Sequence, residues 1–116
     1  MALVAFPSNQ FNLKKYDREQ LITDFRKQLM GRVDATYLFG SFATNTHHSD
    51  SDIDTILIKN TQTSFIERAR KFLDLYAIYP QIDIVVHTSG EFECQLLRAE
   101  KPGFWQSVKQ TLLRIV

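Results

Sequence analysis

The chain of 116 residues has one cysteine, Cys94, so it can build neither a disulfide framework nor a cysteine-based zinc site. It also lacks an excess of either charge: 14 Lys and Arg stand against 13 Asp and Glu, a formal charge of +1. A general nucleic-acid coat or a polybasic membrane anchor needs a stronger field than that. No apolar run near the start exceeds Ala2 to Phe6, far short of the ~20 residues of a spanning helix, and no basic side chain precedes it. Neither a signal peptide nor a membrane span is expected, and a reducing, cytoplasmic setting fits. Internal repeats, low-complexity tracts and linkers are missing too, so residues 1–116 are expected to form one domain.

What is present is a series of short amphipathic segments. Residues 1–16 keep no period and are expected to be extended or irregular. Asp17, with Gln20 three residues later, predicts a helix start; Leu21, Ile22, Phe25 and Leu29 share its inner face, and Gly31 stops it. Val33 to Phe39 reads as a strand entering the turn Gly40-Ser41, and Asp52 to Lys59 as a second strand. Ser64 and Glu67 resemble a capping box for a helix with Phe65, Ile66, Ala69, Phe72, Leu73 and Tyr76 on its apolar side. A third strand, Gln81 to His87, follows Pro80. Residues 91–100 predict a helix, Lys101-Pro102-Gly103 a break, Trp105 to Lys109 a short helix, and Thr111 to Val116 a final strand. This order predicts an α/β domain, a small mixed sheet flanked by helices.

The distinctive stretch runs from Leu38 to Asp54. Between Val33 and Ile58 there are four acids and no Lys or Arg. Asp52 and Asp54 are two apart on a predicted strand, which projects both from one face roughly 6 to 7 Å apart. Like charges that close disfavour joint ionisation unless a cation lies between them. Mg²⁺ suits such a site, since it takes carboxylate, phosphate and water oxygens. Asp83 breaks an otherwise apolar strand, where an unpaired buried carboxylate would be costly. If that strand neighbours Asp52 to Lys59, Asp83 completes a three-carboxylate cluster. Gly40-Ser41 offers the other half of a phosphate site, a close backbone approach with amides after it at the start of a helical turn. Each element alone has an ordinary reading: a turn, a solvated strand edge, a strand-initiating residue. Gly-Ser, ten residues, then Asp-x-Asp together should arise by chance in about one chain of this size per thousand.

At Gly40-Ser41, the ten residues that follow, and Asp52-Ile53-Asp54 preceded by Ser51, the sequence resembles the minimal nucleotidyltransferases of the polymerase-β-like superfamily. Asp83 matches the third carboxylate. The resemblance runs from the helix at Asp17 to the C terminus. It implies the nucleotidyltransferase palm fold, with Asp52, Asp54 and Asp83 as catalytic and metal-binding residues. Two Mg²⁺ ions are implied, with ATP as substrate and Gly40, Ser41 and Ser51 at its phosphates. Asp83 would help deprotonate or orient the acceptor hydroxyl. Two metals bridging attacking and leaving oxygens are, independently, a physical solution for displacement at phosphorus. One departure matters: the family commonly continues Gly-Ser-x-Ala-Arg-Gly, whereas this chain has Thr44 and Asn45 after Ala43. Hydroxyl and amide donors cannot reproduce the bidentate grip of Arg. Either another base such as Lys59 or Arg32 substitutes, or triphosphate affinity is reduced.

The implied activity is transfer of a nucleotidyl group, AMP from ATP, to a hydroxyl on a partner protein, since about 110 residues build the sheet and leave no second domain for a small acceptor. The family's partner is a separately encoded all-helical HEPN protein, in a toxin–antitoxin pair in which the nucleotidyltransferase is the antitoxin. Two alternatives stay open: a catalytically weak nucleotide-binding subunit, and transfer to a small molecule of the aminoglycoside kind. No membrane or strong general nucleic-acid partner is expected; a homo-oligomer stays open. The partner surface is expected to include Phe104, Trp105, Leu112, Leu113 and Ile115, Phe104 and Trp105 being either presented to the partner or folded back onto the sheet. Other polar residues receive plain readings. His47 and His48 beside Asp50 are expected to be solvated, Arg68, Arg70 and Lys71 to form a wet helix face, and Cys94 to pack as a small apolar residue; His87 shares a strand face with Asp83.

Overall fold

A computed structural model describes residues 12–99 and 103–116. The expectations for residues 1–11, and for Glu100, Lys101 and Pro102 in the predicted break, lie outside the described residues. After a 3₁₀ turn at Leu13–Lys15 come α1 (Arg18–Leu29), β1 (Ala35–Phe39), α2 (Gly40–Ala43) and β2 (Ile53–Ile58). α3 (Phe65–Arg68) continues into a 3₁₀ segment (Ala69–Ala77), followed by β3 (Ile82–His87), α4 (Ser89–Leu97), α5 (Phe104–Thr111) and β4 (Leu113–Arg114).

The four strands form one mixed sheet in the order β3-β2-β1-β4. β1 runs antiparallel to β2 and β4, and β2 parallel to β3. This is the small mixed sheet flanked by helices that the order of elements predicts. Alternation along the strands assigns the two faces. Ile53 and Leu57 of β2 and Leu38 of β1 join Phe25, Leu29, Phe72 and Leu75 in a core under α1 and the 3₁₀ segment. Ile56, Ile58 and Phe39 pack on the opposite face with Phe92 of α4 and Val108 of α5. Asp54 therefore projects to the α4–α5 face, as does Asp83 in β3, whose neighbours Ile82 and Ile84 pack on the other.

Local chemistry explains the element ends. The Asp17 carboxylate accepts from the Glu19 and Gln20 amides at the start of α1, and Gly31 leaves it at φ +82. Two helix readings need correction. Ser64 makes no side-chain cap bond, and the helix it precedes tightens to 3₁₀ geometry, with Phe72 at φ −122, ψ 18. The expected apolar face consequently splits: Phe72 is buried, while Ile66, Leu73, Phe65 and Tyr76 are exposed. The capping box sits instead at Thr88 and Glu91, at the start of α4.

Arg68 is also corrected, from wet face to buried side chain. It donates to the Thr63 and Val86 carbonyls and pairs with Glu91 at 2.6 Å. Cys94 is exposed and not packed. At the C terminus, Trp105 folds back against His87 and Phe92 and Ile115 is buried; of the expected partner surface only Phe104 is exposed.

Candidate active site

β2 and β3 set the site by their register. Asp54 stands opposite Asp83 on the parallel pair, and opposite Phe39 on β1, the residue before Gly40. Three segments distant in sequence thus meet at one end of the sheet: the end of β1, the start of β2 and the start of β3. The Thr55 hydroxyl locks the parallel pair with a 2.8 Å bond to the Asp83 carbonyl.

The carboxylates behave as a strained pair. Burial, a hydrogen bond that the protonated Asp54 donates to Asp83, the charge of Asp83 and that of Asp52 together push the Asp54 carboxyl up to about 7. Asp54 is half-buried, whereas Asp83 and Asp52 are exposed. Burial of Asp83 is therefore not what marks it; its register with Asp54 is. Asp52 lies one residue ahead of β2, so the Asp-x-Asp pair straddles the strand's beginning. Among the described residues, no three His, Cys, Asp or Glu side chains stand together closely enough to hold a cation. Asp54 and Asp83 stand side by side in register, and their chemistry fits a hard divalent cation: the donors are carboxylate oxygens, and a carboxyl raised towards neutrality by its neighbours would be relieved by positive charge.

The turn after β1 packs directly on this pair. Gly40 has φ +76, and a Cβ there would stand 2.7 Å from Asp54 Oδ2. A side chain there would force the Asp54 carboxylate to shift, and the left-handed φ itself favours glycine. From Gly40 the chain enters α2, whose first residues carry the Ser41 side chain. Ser41 Oγ donates to Ser51 Oγ at 3.4 Å, and Ser51 Oγ accepts the His48 amide at 3.0 Å. These bonds close the ten-residue loop onto its own base, so Gly40, Ser41 and Ser51 do assemble beside Asp54.

The loop's departure from the family pattern has a structural reading. Asn45, where the family has glycine, adopts φ 61, a left-handed conformation that asparagine tolerates better than most residues. Thr44 gives no free donor in the Arg position, because its hydroxyl is engaged with the Gly40 and Ser41 carbonyls and with Thr46 Oγ1. The two bases expected to substitute are elsewhere. Lys59 lies beyond the far end of β2 and donates to the Arg32 carbonyl, and Arg32 is paired with Asp74 at 2.7 Å.

The cation that does reach the loop is Arg18 of α1, which sequence reasoning passed over. Its Nε donates to the Phe42 carbonyl at 2.9 Å and one terminal nitrogen to Ala43 at 2.8 Å, satisfying the C-terminal carbonyls of α2. His47 was expected in solvent but is buried against the Phe42 ring, 5.1 Å between centroids. Burial, followed by the charges of Lys14, Arg18 and His48, lowers its pKa. Arg18 has no sequence signal, since its role depends on how α1 lies against the loop.

Comparison with known proteins agrees with this geometry. The family described as Polymerase beta, Nucleotidyltransferase matches residues 19–111. No curated protein matches the chain. A solved complex of the tri-AMPylated Shewanella oneidensis HEPN toxin with its MNT antitoxin contains a similar chain, with 17% identity, TM-score 0.54, and 86% of this chain and 72% of that one covered. A toxin–antitoxin crystal structure with AMP-PNP gives 21% identity, TM-score 0.53, and 84% and 72% coverage. At these identities the two structures speak for the fold. The family match spans most of the chain, including the turn, the loop and all three aspartates, and this chain belongs to the polymerase beta nucleotidyltransferase family.

Proposed function

We propose that the chain transfers a nucleotidyl group, AMP from ATP, to a hydroxyl on a separately encoded partner protein, and that it works as the antitoxin of a HEPN toxin–antitoxin pair. The observation that carries the reading is the meeting of Asp54, Asp83 and the Gly40-Ser41 turn at one end of the sheet. An anion seated at this turn would lie beside the carboxylates, which is the arrangement phosphoryl chemistry needs. The partner and the nucleotide follow the complexes just described, one with a tri-AMPylated HEPN toxin and one with AMP-PNP.

In this reading Asp52, Asp54 and Asp83 would hold two Mg²⁺ ions, which would supply positive charge against the negative charge that builds up as pyrophosphate leaves. Asp52 is exposed, so its carboxylate has room to turn towards Asp54. Gly40 admits the triphosphate close to the backbone, and Ser41 and Ser51 offer hydroxyls to it. Asp83 accepts a hydrogen bond from the acceptor hydroxyl and draws off its proton as the new ester bond forms. Thr44 in the Arg position favours a second reading, a nucleotide-binding subunit with weak or no turnover that acts by holding its partner.

Incubation of the protein with labelled ATP, Mg²⁺ and its co-purifying partner separates these readings. Label on the partner supports protein nucleotidylation, and label on a small molecule replaces the acceptor. ATP binding without transfer supports the binding subunit, and absence of both overturns the nucleotide reading.

A further inference from the structure

The first amide of α2 is already taken. Gly40 N–H donates to Thr111 Oγ1 at 2.9 Å, from a residue 71 positions away at the end of α5. The same hydroxyl donates in turn to the Ser107 carbonyl at 2.9 Å, with Val108 at 3.3 Å as a second acceptor. Phe39, the residue that precedes α2, has no side chain able to cap it, so Thr111 supplies from a distance what an N-cap serine or threonine supplies locally. Thr111 is itself fixed from two sides. Val108, one turn earlier, is buried against the sheet, and two residues later Leu113 pairs with Leu38 of β1.

We propose that Thr111 is a positioning residue for the phosphate-binding turn, which rests on the reading of Gly40-Ser41 as the triphosphate site. By accepting the Gly40 amide it fixes the turn at Gly40 relative to Asp54, and with it the placing of Gly40-Ser41 against a bound triphosphate. α5 thereby becomes part of the active site without touching substrate.

Thr111→Val keeps the β-branched shape and removes the acceptor, whereas Thr111→Ser keeps it. In the full-length chain, titration calorimetry with MgATP should show Thr111→Val binding roughly three- to tenfold more weakly, the span expected for one lost hydrogen bond. Thr111→Ser should remain near wild type, and hydrogen exchange of the Gly40 amide should accelerate in the valine variant alone. In a turnover assay the change should fall on KM and not on kcat. Thermal melting of both variants checks that they fold. Equal MgATP affinity in wild type and Thr111→Val, or a serine variant as weak as the valine one, would overturn the role of Thr111 while leaving the nucleotide site standing. A wild type that binds no MgATP would overturn the nucleotide reading and the role of Thr111 with it.

Discussion

Gly40 and Asp54 are in contact through a space that holds no side chain: the Cβ position of Gly40 lies 2.7 Å from Asp54 Oδ2. The glycine therefore does two things at once, adopting φ +76 and letting the carboxylate sit against the backbone. Gly40→Ala should cost about 1 to 2 kcal/mol from the left-handed conformation alone, and should displace Asp54 besides. The variant is expected to melt lower and to lose both MgATP binding and the response of the melt to Mg²⁺. A variant that folds and binds like wild type would return Gly40 to the status of an ordinary turn residue.

Asp54 and Asp83 share one register position, and their repulsion has a sign. The Asp54 carboxyl is raised to about 7 from 3.8, burial being the largest cause and Asp83 the next. The folded state therefore holds a proton that the unfolded state releases. The stabilising contribution of this group is fully present below about pH 4 and is lost as pH rises through about 7. In metal-free buffer Asp54→Asn should melt higher than wild type at pH 8 and no higher at pH 4. Mg²⁺ should raise the wild-type melt at pH 8 and leave the variant unmoved. A lower melt for Asp54→Asn at pH 8 would show that the pair is not under charge strain.

The contrast between what was readable and what was not follows from contact range. Asp17, Gly31 and the strand alternation act over a few residues, so α1 and the three main strands could be placed from local pattern. The Gly-Ser to Asp-x-Asp spacing was readable because its chemistry is compressed into one loop. For Asp83 the expected strand adjacency holds and places it in register with Asp54, whereas the expected burial does not, since it is exposed. Arg18 and Thr111 could not be read, because each acts on the loop from another element, and spacing carries no trace of such contacts. Thr88 and Glu91 could have been read, since a Thr-x-x-Glu directly after a strand is a helix-start signal.

Arg68 is a buried guanidinium where a wet helix face is expected, and its partner Glu91 stays partly exposed. Its guanidinium is nearly covered, donates to two carbonyls and meets Glu91 at 2.6 Å. Arg68→Ala should lower stability by roughly 2 to 3 kcal/mol by leaving those acceptors unpaired. Arg70→Ala on the exposed side should stay within about 0.5 kcal/mol. Arg68 and the Thr88 amide hold Glu91 at about 2, down from 4.5, so its contribution is fully present above about pH 4.5 and fades as pH falls towards 2. Denaturant melts at pH 7 and pH 3 should therefore differ less for Arg68→Ala than for wild type.

Thr44 tests whether the phosphate path passes the loop where the family places its Arg. The position is exposed at the end of α2, and the following Asn45 already holds a left-handed conformation. The backbone should therefore accept Thr44→Arg at the cost of the Thr44 hydroxyl's bonds to Gly40, Ser41 and Thr46. Those bonds are exposed and weakly stabilising, while one charge-assisted bond to phosphate contributes about 1.5 to 3 kcal/mol. MgATP affinity of Thr44→Arg, measured by calorimetry, should rise roughly tenfold over wild type, with a steeper salt dependence. Unchanged or weaker binding would mean that a triphosphate at Gly40-Ser41 does not extend past residue 44, and that the loss of the family's Arg reflects a different phosphate route and not a weaker grip.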